Sequence, residues 1–339
     1  MRVLVAMSGG IDSTVAAHLV LAAGHEAVGC TLRLCEGETD ASARAEAACR
    51  LLGIPHITLD KRAEFFERVM RPFAEEYARG RTPNPCVECN RTVKLGLFCE
   101  YADKSGFDAV ATGHYARIVC RNGRPILCAA ADPAKDQSYM LYTLKEDRLA
   151  RLLLPLGGLT KTEVRAIAEG LGLAGTAGKE SQDICFVPDG KHAEAVERIL
   201  GAPCPPGDYV DKDGTVLGRH RGIVHYTVGQ HKGLGIALGR VRYVTAIHAD
   251  RGEVTLGDEA DLFRTEVRLA NVTYLGDAPT APFRCAVKLR YHARDLLALV
   301  TPEGDGARLT LDTPARAPSP GQSAVFYDGD RVLGGGIIV

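Results

Sequence analysis

The chain has 339 residues, 46% hydrophobic and 24% charged, with a formal net charge of −1, the makeup of a soluble globular protein of two or three domains. Near-neutrality excludes a global field for nucleic acid, so any such contact must come from local basic patches. No apolar run approaches the roughly 20 residues of a membrane span, and the short apolar start is too brief for a secretory signal, so a cytoplasmic protein without membrane contact is expected.

The first half alternates strands and helices. Strands are expected at 3–7, 26–34, 56–59 and 108–112, and helices at 13–23, 41–52, 64–79 and 91–105. Short links between them predict an α/β fold with a doubly wound parallel sheet. Helices are expected to continue at 147–153 and 160–171, the second opened by Thr160 with Glu163 three residues on. After Leu200 a Pro- and Gly-rich stretch, 201–207, reads as a linker. Beyond it, short alternating runs at 242–247, 253–256, 284–291, 308–312 and 324–327 have the texture of small β-barrels. The expected domains are 1–200, a small central β-rich domain 201–262 and a C-terminal β-barrel 263–339.

The first turn carries the sharpest chemistry. Ser8-Gly9-Gly10-Ile11-Asp12-Ser13 stands between the first strand and the first helix. Paired glycines let backbone N–H groups converge, and the helix start adds a positive dipole end, so the turn can cradle phosphates. The lysine-bearing GxxxxGK[ST] loop is absent. The other reading is an ordinary βα turn of small residues.

A second motif is Arg81-Thr82-Pro83-Asn84-Pro85-Cys86-Val87-Glu88-Cys89-Asn90. Its prolines predict an extended loop presenting two thiols between two helices. Downstream comes Ser181-Gln182-Asp183-Ile184-Cys185-Phe186. Eleven cysteines without a secretory signal argue for reduced thiols, some reactive or metal-bound, rather than a disulfide framework. Cys30, Cys49, Cys99, Cys120, Cys128 and Cys285 read as buried small hydrophobes. Cys35 follows a strand end near the nucleotide face, and Cys204 lies in the linker.

These motifs together resemble the bacterial tRNA-specific 2-thiouridylases of the MnmA/TrmU family, which are PP-loop ATP pyrophosphatases. The likeness runs from SGGIDS through CVECN, ATGHY at 111–115, KDQSYML at 135–141, SQDICF, YTVGQ at 226–230 and PGQS at 320–323 to GGGII at 334–338, nearly the whole chain. It implies that O2 of the wobble uridine attacks the α-phosphate of ATP, that pyrophosphate leaves, and that sulfur then displaces AMP to give 2-thiouridine. Fixed N–H donors and Mg2+ would stabilise the developing charge. By matching motifs, Ala6, Met7, Ser8, Gly9, Gly10, Ile11, Asp12 and Ser13 hold ATP phosphates, while Leu32 and Gly113 line the nucleotide site. Cys89 matches the nucleophile and Cys185 the persulfide carrier, and the two could form a disulfide between turnovers.

Many relatives have Asp where this chain has Cys86. Cys86, Cys89 and Cys185 make three thiols, one short of the usual ligand set of a 4Fe–4S cluster. Two sulfur routes therefore stay open: a persulfide on Cys185 resolved by Cys89, or a cluster that activates sulfide. A zinc site has no evident fourth ligand.

The resemblance places the target base at Asn84, Pro85 and Cys86. It places other tRNA contacts at His114, Lys135, Asp136, Gln137, Arg290, Tyr291 and Gln322. Lys288, Arg290, His292 and Arg294 are expected on one face of a strand over 287–294, with a second basic cluster at Arg219-His220-Arg221 and His231-Lys232. His114 can also be read as a satisfied histidine beside a strand end. The expected partners are tRNA and a sulfur-donor protein or inorganic sulfide, with the chain itself a monomer. Two rival readings are a PP-loop ligase acting on a small molecule and a non-catalytic RNA- or metal-binding protein.

Overall fold

A computed structural model describes residues 1–35, 39–173, 184–187 and 190–339. Ser181, Gln182 and Asp183 of SQDICF, and part of the segment after Cys35, lie outside the described residues. The chain divides into two compact units. One comprises Met1–Arg68, Cys86–Gln182 and Asp330–Val332; the other comprises Val69–Pro85, Asp183–Gly329 and Leu333–Val339.

The first unit is built on a parallel sheet. Its strands are β1 (Arg2–Ala6), β2 (Glu26–Arg33), β3 (His56–Asp60), β4 (Ala109–Ala111) and β7 (Leu152–Leu153), in spatial order β3-β2-β1-β4-β7. All four pairings are parallel. The central strand supplies Val3, Leu4 and Val5, each 0% exposed, because both its faces are covered and a continuous apolar run is needed. Helices α1 (Ile11–Ala22) and α2 (Thr39–Leu51) follow β1 and β2. Val20 of α1 and Ala45, Ala48 and Cys49 of α2 join Val3 and Val5 in one core cluster. The strand order reverses at β1, which has β2 on one side and β4 on the other. In such sheets a ligand crevice opens beyond the carboxyl ends of the strands at this point.

Several expectations needed correction. Residues 85–89 are not a loop: Pro85–Cys89 is helical and runs on through Asn90–Leu97, a π-helical stretch, into Phe98–Lys104. Pro85 occupies the first helical position, where its missing N–H costs nothing and its fixed φ suits the helix, so the proline that suggested a loop in fact opens a helix. The helix expected at 147–153 is only Glu146–Leu149, after which the chain enters β7. A hairpin absent from the sequence reading, β5 (Arg117–Arg121) and β6 (Arg124–Cys128), turns at Asn122 and Gly123, with φ of 51° and 77°. That is the Asn-Gly signature of a two-residue hairpin turn. Cys120 lies on this hairpin and is exposed, not buried.

The second unit is β-rich. β8 (Gly207–Val210), β9 (Val216–His220), β10 (Tyr243–His248) and β11 (Glu253–Gly257) form a sheet in the order β10-β11-β8-β9. β12 (Phe263–Tyr274), β13 (Phe283–Lys288), β14 (Leu296–Glu303), β15 (Gly306–Arg316), β16 (Ser323–Asp328) and β17 (Arg331–Ile338) follow, in the order β12-β15-β14-β13-β16-β17. Antiparallel pairing of β12 with β17, with Leu269 opposite Ile338, closes them into a six-stranded barrel. Val287, Val300, Leu309 and Phe326, all 0% exposed, fill its interior. The helical run 62–78 enters this unit at Val69, and its segment Arg71–Ala78 packs with the helix His192–Leu200.

Two basic clusters change character. β13 ends at Lys288, and Arg290, Tyr291, His292 and Arg294 lie in the bend and loop after it, so they share no strand face. His220 is 4% exposed and internal. It accepts from the Gly222 amide through Nδ1 at 3.1 Å, and its Nε2 faces the Gly252 carbonyl at 3.1 Å. Burial lowers its pKa, so it adds no charge to a surface patch at neutral pH.

Candidate active site

The loop after β1 is shaped by its own short side chains. Ser13 Oγ donates to the Gly10 carbonyl at 2.9 Å and accepts from the Ser8 amide at 3.2 Å. Thr14 Oγ1 donates to the same carbonyl at 3.0 Å. Gly9 has φ +75°, and a Cβ there would stand 2.7 Å from Arg44 Cβ and 2.9 Å from the Ala41 carbonyl. Only glycine fits both the left-handed turn and the close approach of α2. Gly10 is the N-cap of α1 and offers no side-chain cap. The first amides of α1 are therefore left for a ligand, at the positive end of the helix dipole.

Strand β4 brings a second segment to the loop. A Cβ on Gly113 would meet the Asp12 carbonyl carbon at 3.0 Å and the Ser13 nitrogen at 3.1 Å, so Thr112-Gly113-His114 lies close against the first turn of α1 and a side chain at 113 would press on it. His114 Nδ1 is 2.8 Å from Thr112 Oγ1, and its ring is partly buried. Burial, with repulsion from Lys94, pushes its pKa down to about 3, so the imidazole is neutral at physiological pH. Leu32 is partly buried near the end of β2.

The sequence reading missed one residue here. Asp12 accepts from Lys161 Nζ at 2.7 and 2.8 Å and from the Tyr115 hydroxyl at 2.8 Å. Lys161 is only 9% exposed. It opens the helix Lys161–Gly170, whose start is fixed by the reciprocal bonds of Thr160 and Glu163 expected from the sequence. The capping box was legible, but nothing local links Lys161 to a loop 149 residues away.

Asp136 and Gln137 turn inward to hold their own segment. Asp136 Oδ1 accepts from the amides of Ala130 and Ser138 at 2.9 and 3.1 Å, and Oδ2 from Ser138 Oγ at 2.9 Å. Gln137 Oε1 accepts from the Tyr115 amide at 3.0 Å, while the Gln137 amide donates to the Tyr115 carbonyl at 2.7 Å. The structure thus joins KDQS to ATGHY. Lys135 stands partly buried at the start of this segment.

In the same unit, Cys86 lies in the first turn of the helix Pro85–Cys89 and is partly exposed, whereas Cys89 is 5% exposed. Their burial differs from that of the structural thiols only in part. Burial raises Cys30 and Cys285 to about 12 and Cys49 to about 11, which makes those three inert.

The second unit holds the remaining candidates. Thr82 donates its amide to the Pro320 carbonyl at 2.7 Å, and Gln322 Nε2 donates to the Thr82 carbonyl at 2.6 Å. A Cβ on Gly321 would sit 3.0 Å from Thr82 backbone atoms. The PGQS turn therefore braces the segment that carries Asn84 and Pro85. Arg290 is exposed, yet its Nη2 donates to the Ala317 carbonyl at 2.6 Å and to Ser319 Oγ at 3.0 Å. The Tyr291 and His292 rings lie 4.1 Å apart. Cys185 is exposed on a turn closed by the Val187 amide on the Ile184 carbonyl at 2.9 Å. Its neighbour Phe186 is anchored edge-on against Phe73 at 5.1 Å.

A cluster needs at least three thiolates converging on one point. Among the described residues, no group of three or more His, Cys, Asp or Glu side chains is placed to hold a metal ion, and the three candidate thiols are divided between the two units. Mg2+ takes oxygen ligands and is commonly bound through one carboxylate plus substrate phosphates; Asp12 with the Ser8 and Ser13 hydroxyls offers that kind of donor. No helix among the described residues is long and apolar enough to cross a membrane.

Comparison with known proteins supplies the family. Three family models match in succession: a tRNA methyl transferase HUP domain over 1–189, a tRNA methyl transferase PRC-barrel domain over 194–258 and an aminomethyltransferase β-barrel domain over 264–338. A tRNA-specific 2-thiouridylase of Chloroflexus aurantiacus is 46% identical over 99% of this chain and 98% of its own length. That of Acetivibrio thermocellus is 42% identical over 99% of both. Among solved structures, the U34-tRNA thiolase NcsA of Methanococcus maripaludis aligns at 17% identity and a TM-score of 0.38, over 59% of this chain and 71% of that one. That likeness is too low to bear on the chemistry. The loop after β1, the paired cysteines and relatives 42% and 46% identical over 99% of the chain converge on one conclusion: the chain belongs to the family of tRNA-specific 2-thiouridylases.

Proposed function

We propose that the chain thiolates tRNA, activating O2 of the wobble uridine with ATP and replacing it with sulfur. The carrying observation is the loop after β1, with Gly9 in the left-handed region and the first amides of α1 uncapped, in a chain related over its whole length to 2-thiouridylases. A carbonyl oxygen is a poor leaving group, and adenylation makes it part of AMP, a good one. Residues 6–13 would hold the ATP phosphates, with Leu32 and Gly113 beside the nucleotide. Bound Mg2+ would neutralise charge on the departing pyrophosphate, while the fixed amides stabilise the same charge without reorganising.

The sulfur step falls to the thiols. Exposed Cys185 suits attack of its thiolate on the outer sulfur of a donor protein's persulfide, which leaves a Cys185 persulfide and the donor's thiolate, and buried Cys89 suits a resolving role away from water. The terminal sulfur of a Cys185 persulfide attacks C2 of the adenylated base, and AMP departs with the former O2. Cys89 thiolate then attacks the Cys185 sulfur, leaving 2-thiouridine and a Cys89–Cys185 disulfide, which an external dithiol reduces. Asn84, Pro85 and Cys86 would meet the base. His114, Lys135, Asp136, Gln137, Arg290, Tyr291 and Gln322 would lie on the tRNA path, Asp136 and Gln137 chiefly by shaping it. The protein would act in the cytoplasm as a monomer. Purified protein with ATP, Mg2+, a persulfide-bearing donor protein, a dithiol and a tRNA transcript should release AMP and pyrophosphate and convert one uridine to 2-thiouridine; pyrophosphate release stimulated by a small metabolite and indifferent to tRNA would overturn the reading.

A further inference from the structure

The helix that carries the paired cysteines is wound in two registers. Pro85–Cys89 and Phe98–Lys104 are α-helical, and Asn90–Leu97 between them is π-helical. Its bonds join residues five apart, so it packs one residue more than an α-helix into the same length; such stretches collect at functional sites. Two further features mark it. Asn90 is 4% exposed, and its Oδ1 is buried without a hydrogen-bond partner, an unfavourable state for an acceptor. Gly96 lies five residues after Arg91, and a Cβ there would stand 2.9 Å from the Arg91 carbonyl oxygen. Arg91 is all that this Cβ would meet within 4 Å beyond its own turn, so a side chain at 96 opposes the wide turn and nothing else.

The extra residue sets which thiol faces outward. Cys86 is partly exposed and Cys89 is 5% exposed. If the wide turn relaxes to α spacing with the part after Leu97 held, each residue before it moves back one place along the helix, turning about 100°. Cys89 then takes the place of Glu88, whose side chain is 34% exposed, and Cys86 takes the buried place of Pro85. Glu88 holds the resting register. Its carboxylate accepts from Arg91 at 2.6 and 3.1 Å, and its carbonyl accepts from Thr92 Oγ1 at 2.8 Å. The move would also carry that carboxylate into the place of Val87, which is 5% exposed, and burying a carboxylate is unfavourable.

We propose that Asn90–Leu97 is a register switch in the thiol site, with Gly96 the positioning residue that admits the wide turn. The π register shelters Cys89 and presents Cys86; the α register presents Cys89. The use of the switch rests on the reading of Cys89 as the thiol that resolves the Cys185 persulfide, because a sheltered thiol needs a way out to act.

The test is timed alkylation of the reduced full chain by iodoacetamide, without tRNA, with each cysteine followed by peptide mass spectrometry. Gly96→Ala opposes the wide turn and favours α spacing, so Cys89 should alkylate at least about fivefold faster, while Cys86 does not speed up. Glu88→Gln removes the charge that resists the move and should shift Cys89 in the same direction. Buried Cys99, on the helix beyond the wide turn, should keep its rate. An unchanged Cys89 rate in both variants would overturn the switch. So would Cys86 or Cys99 speeding up together with Cys89, the mark of a helix that merely loosens. Thiolation that survives Cys89→Ser, with these rates shifting as expected, would leave the switch standing and overturn the resolving role of Cys89.

Discussion

The loop after β1 and the barrel from β12 to β17 are held by opposite means. The loop's internal bonds span at most five residues, Ser13 closing on Gly10 and Ser8 and Thr14 on Gly10, and Asp12 adds tethers to Tyr115 and Lys161. The barrel is held by pairings of distant strands, such as Leu269 with Ile338 and Val287 with Phe326, around residues with no exposure at all. A site fixed locally can lose its chemistry while the fold survives. A barrel fixed by closure loses its fold first, and whatever it contacts afterwards.

Substitutions should separate the two behaviours. The largest effect is expected at the thiols: Cys89→Ser and Cys185→Ser should each drop thiolation to background while tRNA binding and thermal unfolding stay near those of the unaltered chain. Residual turnover in either would break the assignment. Phe326→Ala should cost about 3–5 kcal/mol through lost burial and a cavity, seen as an earlier unfolding transition of the barrel, with pyrophosphate affinity per folded molecule unchanged. Gly9→Ala should cost about 1–3 kcal/mol from the left-handed backbone and should also weaken ATP, because Arg44 and Ala41 leave no room for its Cβ; unchanged ATP affinity would detach the loop geometry from function.

At neutral pH the smallest effect is at His114, whose contribution shows only as a pH dependence. Its folded pKa is about 3, against 6.5 when unperturbed. The unfolded chain therefore takes up the proton first as pH falls. The histidine's contribution is intact above pH 6.5 and is lost as pH falls toward 3. His114→Gln should flatten part of the acid loss of stability in that window; an identical acid profile would show that His114 titrates as if in solvent.

Much of the first unit was legible because its signals are local. Apolar runs gave β1 and β2, paired glycines gave the turn after β1, and Thr160 with Glu163 gave a helix start that the structure reproduces. Prolines misled at 81–90, since the same residue that breaks a helix interior favours its first position. The Asn122-Gly123 hairpin carries its signal locally, in the Asn-Gly pair itself. The end of β13 at Lys288 did not, because the alternation of basic residues runs on past the point where strand pairing stops. Lys161 was beyond any local reading: its role depends on a fold that brings α1 and the Lys161–Gly170 helix together.

The most direct measurement follows the uridine oxygen. A tRNA carrying heavy oxygen at O2 of the wobble uridine, incubated with the protein, ATP, Mg2+ and a sulfur source, should yield 2-thiouridine and AMP bearing the heavy isotope in its phosphate. Thiolated tRNA with unlabelled AMP, or cleavage of ATP to ADP, would contradict the account.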